Sequence, residues 1–161
     1  MDLVQNRNMY RYSVAVFFFL GMGLCLGQQM DDDPKKAVDI FFEGFHKRDS
    51  VLIKSVCSNE LILQTIGRSK EGTPRHRTDS FPKFLKNIVS IPKEREIHEK
   101  LLDYLVRVDG PMAHVWTPYE FYVDGKFSHC GVNSFQLFHT GKQWEIIYLV
   151  DTRRRKDCTK E

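Results

Sequence analysis

Ala113-His-Val-Trp-Thr-Pro-Tyr-Glu-Phe-Tyr-Val-Asp124-Gly125-Lys-Phe-Ser-His-Cys-Gly-Val-Asn-Ser-Phe135 decides the fold. β-branched and aromatic residues run up to Asp124-Gly125 and resume beyond it. Asp-Gly between two such runs is a strong hairpin signal, because both turn residues tolerate positive φ. Asp109-Gly110 before this stretch and Thr140-Gly141 after it mark two more turns. The segment 96–152 therefore reads as an antiparallel meander of four long strands, about 96–108, 112–123, 126–138 and 143–152.

Upstream the pattern is helical. Val38, Phe41, Phe42 and Phe45 fall at i, i+3, i+4 and i+7 after Asp33-Pro34, which predicts a helix with one aromatic face. A short second helix is expected from Asp49 or Ser50 through Val56, and a strand over 61–66. A polar loop is expected over Gly67–Thr78, then a third helix from Asp79-Ser80 to about Ser90. Helices first and a meander after define an α+β domain.

The N-terminus does not belong to that domain. Arg7 and Arg11 precede an apolar run of about fifteen residues that ends at Gly27, the layout of a secretory signal peptide and too short for a membrane span. Expected boundaries are a signal peptide over 1–27, an acidic linker over 28–32, the domain over 33–155 and a tail over 156–161. Export to the periplasm or the extracellular space follows, with a retained N-terminal anchor as the alternative. The net charge of +3, from 24 basic and 21 acidic side chains, is too slight to argue for nucleic acid. Arg68, Lys70, Arg75, His76 and Arg77 make a basic loop without interleaved aromatics for base stacking.

Cleavage leaves Cys57, Cys130 and Cys158, enough for one disulfide and one thiol. Cys158 in the tail and Cys57 near a helix end are the candidate pair. Cys130, inside a strand, reads as a small buried hydrophobe. No cysteine or histidine spacing suggests a metal, and nothing calls for a cofactor.

The ordered elements, closing on Gly141-Lys-Gln-Trp144-Glu-Ile146, resemble the nuclear transport factor 2-like superfamily. Ala113–Val123, Ser128–Phe135 and Asp151–Arg154 resemble its uncharacterised exported bacterial, SnoaL-like members. The resemblance spans residues 33–155. It implies a cone: a strongly curved antiparallel sheet wrapped on two or three N-terminal helices, with a pocket inside. The superfamily includes isomerases, dehydratases, cyclases and non-enzymes, so it leaves function open.

Hairpin register offers a pocket of its own. A two-residue turn at Asp124-Gly125 pairs Val123 with Lys126, and regular pairing then sets Glu120 opposite His129, Trp116 opposite Asn133 and Tyr119 opposite Cys130. The same reasoning at the other turns sets Asn133 opposite Tyr148, Cys130 opposite Asp151 and Asp103 opposite Trp116. One face then gathers Asp103, Trp116, Glu120, His129, Asn133 and Tyr148, polar groups among aromatics, and is taken as the interior. The other face, also apolar, suits a second subunit in a homodimer. Glu120 and His129 become a candidate acid–base pair or a structural ion pair. Asp151 and Arg153, at i and i+2, read as an ion pair holding the last strand. Three readings remain open. The first is an exported protein binding a small apolar or amphipathic molecule. The second is a lyase- or isomerase-type enzyme using Glu120 and His129. The third is a homodimeric interaction module whose pocket is filled by Phe41, Phe42 and Phe45.

Overall fold

A computed structural model describes residues 33–158. The predicted signal peptide and linker, and residues 159–161 of the tail, lie outside the described residues. The order of elements is α1 (Pro34–Lys47), α2 (Ser50–Lys54), β1 (Cys57–Arg68), β2 (Pro74–Asp79), α3 (Phe81–Val89), β3 (Ile97–Leu101), β4 (Leu105–Asp109), β5 (Met112–Val123), β6 (Lys126–His139) and β7 (Trp144–Thr152). Two helices come first and α3 falls between β2 and β3; the strands form one seven-stranded sheet in the order β2-β1-β7-β6-β5-β3, with β4 also paired to β5. The β1–β7 pairing is parallel and every other is antiparallel, so the sheet is mixed.

α1 starts where the Asp33 side chain accepts from the Lys35 N–H at 2.9 Å, with Pro34 behind it. Its expected aromatic face lies on the concave side of the sheet. Phe41 and Phe42 meet the fully buried Phe135 of β6 edge-on, with ring centroids 5.9 and 6.0 Å apart. Phe41 also stacks on Phe84 of α3 at 6.0 Å. Burying each such ring contributes about 2–3 kcal/mol, so the helices are fastened mainly through α1.

The expected meander of four strands becomes five. The segment read as one strand over 96–108 breaks at Leu102–Tyr104, so that β3 and β4 pair with successive halves of β5. The expected polar loop over 67–78 contains β2 instead. Its residues show no apolar alternation because it is an edge strand, exposed except at Asp79 and hydrogen-bonded only to β1.

Two bulges overturn the expected register. Val123 pairs with Lys126 and Tyr122 with Phe127 as the Asp-Gly turn dictates, but Phe121 pairs with His129, leaving Ser128 as an extra residue. Between β6 and β7, Gln136 pairs with Tyr148 and Leu137 with Ile146, leaving Ile147 extra. Each insertion switches which face the rest of its strand presents. Glu120 therefore lies opposite Cys130, Trp116 opposite Ser134 and Thr117 opposite Asn133. A turn that pairs His139 with Trp144, two residues off the expected register, and the Ile147 bulge together set Asn133 opposite Asp151. Leu105, not Asp103, lies opposite Trp116.

The disulfide joins Cys130 to Cys158, Cα atoms 5.8 Å apart, and not Cys57 to Cys158. The chain past β7 folds back so that Cys130 and Arg154 exchange backbone hydrogen bonds of 2.9 Å, which sets Cys158 over the outward-facing Cys130. Cys57 is held in the core at the start of β1, next to Ile146. Burial pushes its thiol up to about 12. Of Cys57, Cys130 and Cys158, iodoacetamide should therefore label none in the folded, oxidised protein and only Cys57 after unfolding without reductant. Rapid labelling of Cys57 in the folded protein would contradict its burial.

Candidate functional site

A cavity of about 290 Å³ opens between α1, α3 and the concave face of the sheet. Phe41, Phe42 and Phe45 line it without filling it, and with Phe84, Ile88 and Leu149 they supply much of its apolar wall. Polar side chains line it as well. Here β3 contributes Glu99, β6 His129 and Asn133, β7 Asp151 together with Arg153 just beyond it, and β2 Arg77 and Asp79. Strand alternation explains the set: Glu99 lies between the inward Ile97 and Leu101, and His129 and Asn133 share a face with Phe135.

Glu99 is the carboxylate the sequence reading passed over. Asn133, itself buried, donates from Nδ2 to Glu99 Oε1 at 2.7 Å. The Glu99 backbone N–H donates to His46 Nε2 at 2.9 Å, which ties β3 to α1. Burial pushes the Glu99 carboxyl up to about 7. The Asn133 hydrogen bond and the Arg153 charge pull it down, while the Asp151 charge adds to the rise. Burial, with the charge of neighbouring His98, holds His46 below its usual range, so it remains the neutral acceptor this hydrogen bond needs. The strand Ile97-His-Glu-Lys-Leu101 carried the signal, an acid at the middle inward position of an apolar alternation.

Asp151 is the hub of the floor. It accepts from Thr65 Oγ1 at 2.7 Å, from Arg153 Nε at 2.6 Å and, more weakly, from the Tyr119 hydroxyl at 3.4 Å. The expected Asp151–Arg153 pair is present, and it borders the cavity. Tyr119 donates its stronger bond to the Thr152 carbonyl at 2.9 Å. The His129 ring lies over Phe121, centroids 4.9 Å apart, and its Nδ1 meets Ser128 Oγ at 3.1 Å. Burial, then the Arg153 and Arg155 charges, lower its pKa.

Of the six residues expected to build the pocket, the fold brings together two, His129 and Asn133. Glu120 lies on the outer face, where it accepts from the Tyr122 hydroxyl at 2.8 Å and sits 4.0 Å from Lys100 Nζ. The Glu120–His129 pair does not form, because the Ser128 bulge sends the two to opposite faces. Trp116 is exposed on the outer face and Tyr148 donates there to Gln64 Oε1. Asp103 is exposed in the β3–β4 connection, where its Oδ1 accepts from the Tyr104 N–H. Among the described residues no group of three or more His, Cys, Asp or Glu is placed to hold a metal. No described helix is long and apolar enough to cross a membrane.

Helices packed on a curved mixed sheet in this arrangement are also seen in solved structures. An NTF2-like protein of unknown function from Shewanella baltica is 11% identical, over 76% of this chain and 92% of that one, with a TM-score of 0.52. An NTF2-like protein from Cytophaga hutchinsonii is 11% identical, over 74% and 94%, with a TM-score of 0.59. A protein of unknown function with a cystatin-like fold from Nostoc punctiforme is 8% identical, over 76% and 89%, with a TM-score of 0.58. No family model and no curated protein matches the sequence. The chain has the nuclear transport factor 2-like, cystatin-like cone fold, and at these identities the likeness establishes the fold alone.

Proposed function

We propose that this is an exported protein that binds one small amphipathic molecule in its cone, with the apolar body against α1 and α3 and the polar group toward Glu99 and Asn133. The observation that carries this reading is one cavity lined both by a wall of phenylalanines and by hydrogen-bonding side chains, the usual composition of a small-molecule site. Export is supported by the N-terminal basic and apolar stretch and by the Cys130–Cys158 disulfide, a bond that persists in oxidising compartments. A homodimer through the outer face is supported by the exposed Leu105, Met112 and Trp116, and light scattering of the purified protein tests it.

The pocket itself is tested with N-phenyl-1-naphthylamine, a neutral aromatic probe that fluoresces in apolar surroundings. Saturable binding of one probe per chain is expected, with loss of about tenfold or more in affinity when Leu149→Trp fills the cavity. Leu149 is buried and borders the cavity. An absence of saturable binding, or equal binding by the filled variant, would overturn the reading.

One observation favours a second reading, a lyase- or isomerase-type enzyme. A carboxyl with a pKa near 7 inside a ligand-sized cavity is suited to passing a proton next to a carbonyl group. That role falls to Glu99, with His129 in the same row of the sheet beyond Phe121, in place of the Glu120–His129 pair.

A further inference from the structure

We propose that the molecule held in the cone is a carboxylate anion, an alkyl or aryl acid whose head group is taken by Arg153 and Arg77 at the cavity rim. The inference rests on the binding reading above and names the class of ligand within it.

Asp151, the acid nearest the floor, has its oxygens occupied by Thr65, Arg153 and Tyr119. Arg153 gives only its Nε to that carboxylate, and neither terminal nitrogen has a hydrogen-bond partner among the described residues. Arg77 spends Nε and one terminal nitrogen on the same oxygen of Asp79, 2.8 Å from each, which leaves its other terminal nitrogen. Asn133 donates inward to Glu99, and His129 uses only Nδ1 on Ser128. The acids near the rim are thus largely consumed by the protein, while two guanidinium groups keep N–H donors toward the opening. A guanidinium fork fits the two oxygens of a carboxylate, which makes it a better partner for an acid than for an alcohol of the same length.

The register of the sheet brings these groups together. Thr65 pairs with Arg77 on one side and Asp151 on the other, so Arg77, Thr65, Asp151 and Asn133 form one row across four strands. Arg153 lies two residues beyond Asp151 on the same side, and half of its side chain is exposed at the mouth. The phenylalanine wall supplies the apolar part of the site.

The test is displacement of N-phenyl-1-naphthylamine from the full chain by octanoate and by 1-octanol, which share a chain length and differ in charge. Octanoate should displace the probe at a concentration about tenfold lower than octanol, the scale of one charge-assisted pair. Arg153→Met should collapse that preference to about twofold or less. Arg77→Met, on an exposed edge strand where folding is insensitive to it, should reduce the preference too, which keeps the test open if the first variant fails to fold. Equal displacement by the two competitors, with the probe still bound in the cavity, would overturn the anion inference and leave the binding reading standing. A probe that never binds would overturn both.

Discussion

Gly131→Ala is expected to destabilise the chain by about 3 kcal/mol, at the upper end of overpacking costs because the obstruction is backbone. A Cβ at Gly131 would sit 1.7 Å from the Thr152 carbonyl oxygen and 2.9 Å from the Tyr119 ring. Relief requires the end of β7 to move, and that segment is pinned. Tyr119 donates to the same carbonyl, Val132 N donates to Thr152 Oγ1 at 3.0 Å, and Cys130 exchanges hydrogen bonds with Arg154. Moving it displaces Asp151 and Arg153, so ligand binding should weaken along with stability. Gly67→Ala is the control: nothing lies within 4 Å of a Cβ there, in the same sheet. Urea unfolding of the two variants decides the matter, and equal midpoints would show that the close approach at Gly131 is not real.

Glu99→Gln is expected to change the pH dependence of stability more than stability at low pH. The carboxyl is raised from 4.5 to about 7 in the folded chain. The folded state therefore holds a proton that the unfolded chain releases as pH rises between those values. The stabilisation this group contributes is fully present below about pH 4.5 and is lost as pH rises through 7. Glutamine mimics the protonated acid and keeps an oxygen for Asn133. The variant should match the parent near pH 4 and exceed it by up to about 3 kcal/mol at pH 8. His129 and His46 work in the opposite direction. Their folded pKa values are lowered, so the stability they contribute is present above the usual histidine pKa and lost as pH falls below it through the lowered folded values. That contribution is common to parent and variant, so the difference between the two curves isolates Glu99. A difference that does not vary with pH would refute the assignment. The same variant separates the two functional readings: an enzyme loses deuterium exchange into an enolisable ketone, whereas a carrier has no such exchange to lose.

The α+β class, the aromatic face of α1 and the turn at Asp124-Gly125 were legible because each rests on neighbours within a few residues. Helical spacing of Val38, Phe41, Phe42 and Phe45 needs no knowledge of the rest of the chain. The cavity could not be read the same way. It depends on which side chains of β5, β6 and β7 point inward, and a single inserted residue inverts that assignment. Ser128 and Ile147 resemble other strand residues in type, so nothing local marked them as the extra ones.

His129 and Asn133 both line the cavity, because they share a strand and keep their parity relative to each other. Glu120, Trp116 and Tyr148 were placed with them through hairpin pairing, and pairing is what the bulges altered. Cys158 was rightly assigned a disulfide, but its partner was set by a chain reversal after β7 that leaves no periodic trace.

The sequence by itself determined the succession of helices and strands, the aromatic stripe that faces the sheet and the hairpin turn that starts the register. Those properties follow from side-chain periodicity and turn chemistry, which act over short distances. Tertiary structure alone decided that Glu99, Asn133, Asp151 and Arg153 line one cavity, because β3 lies beyond β5 from β6 and β7 and its side chains join theirs only on the inner face of the folded, bulged sheet. The raised carboxyl of Glu99 has the same origin: the dry surroundings that favour its neutral form exist only in the folded chain.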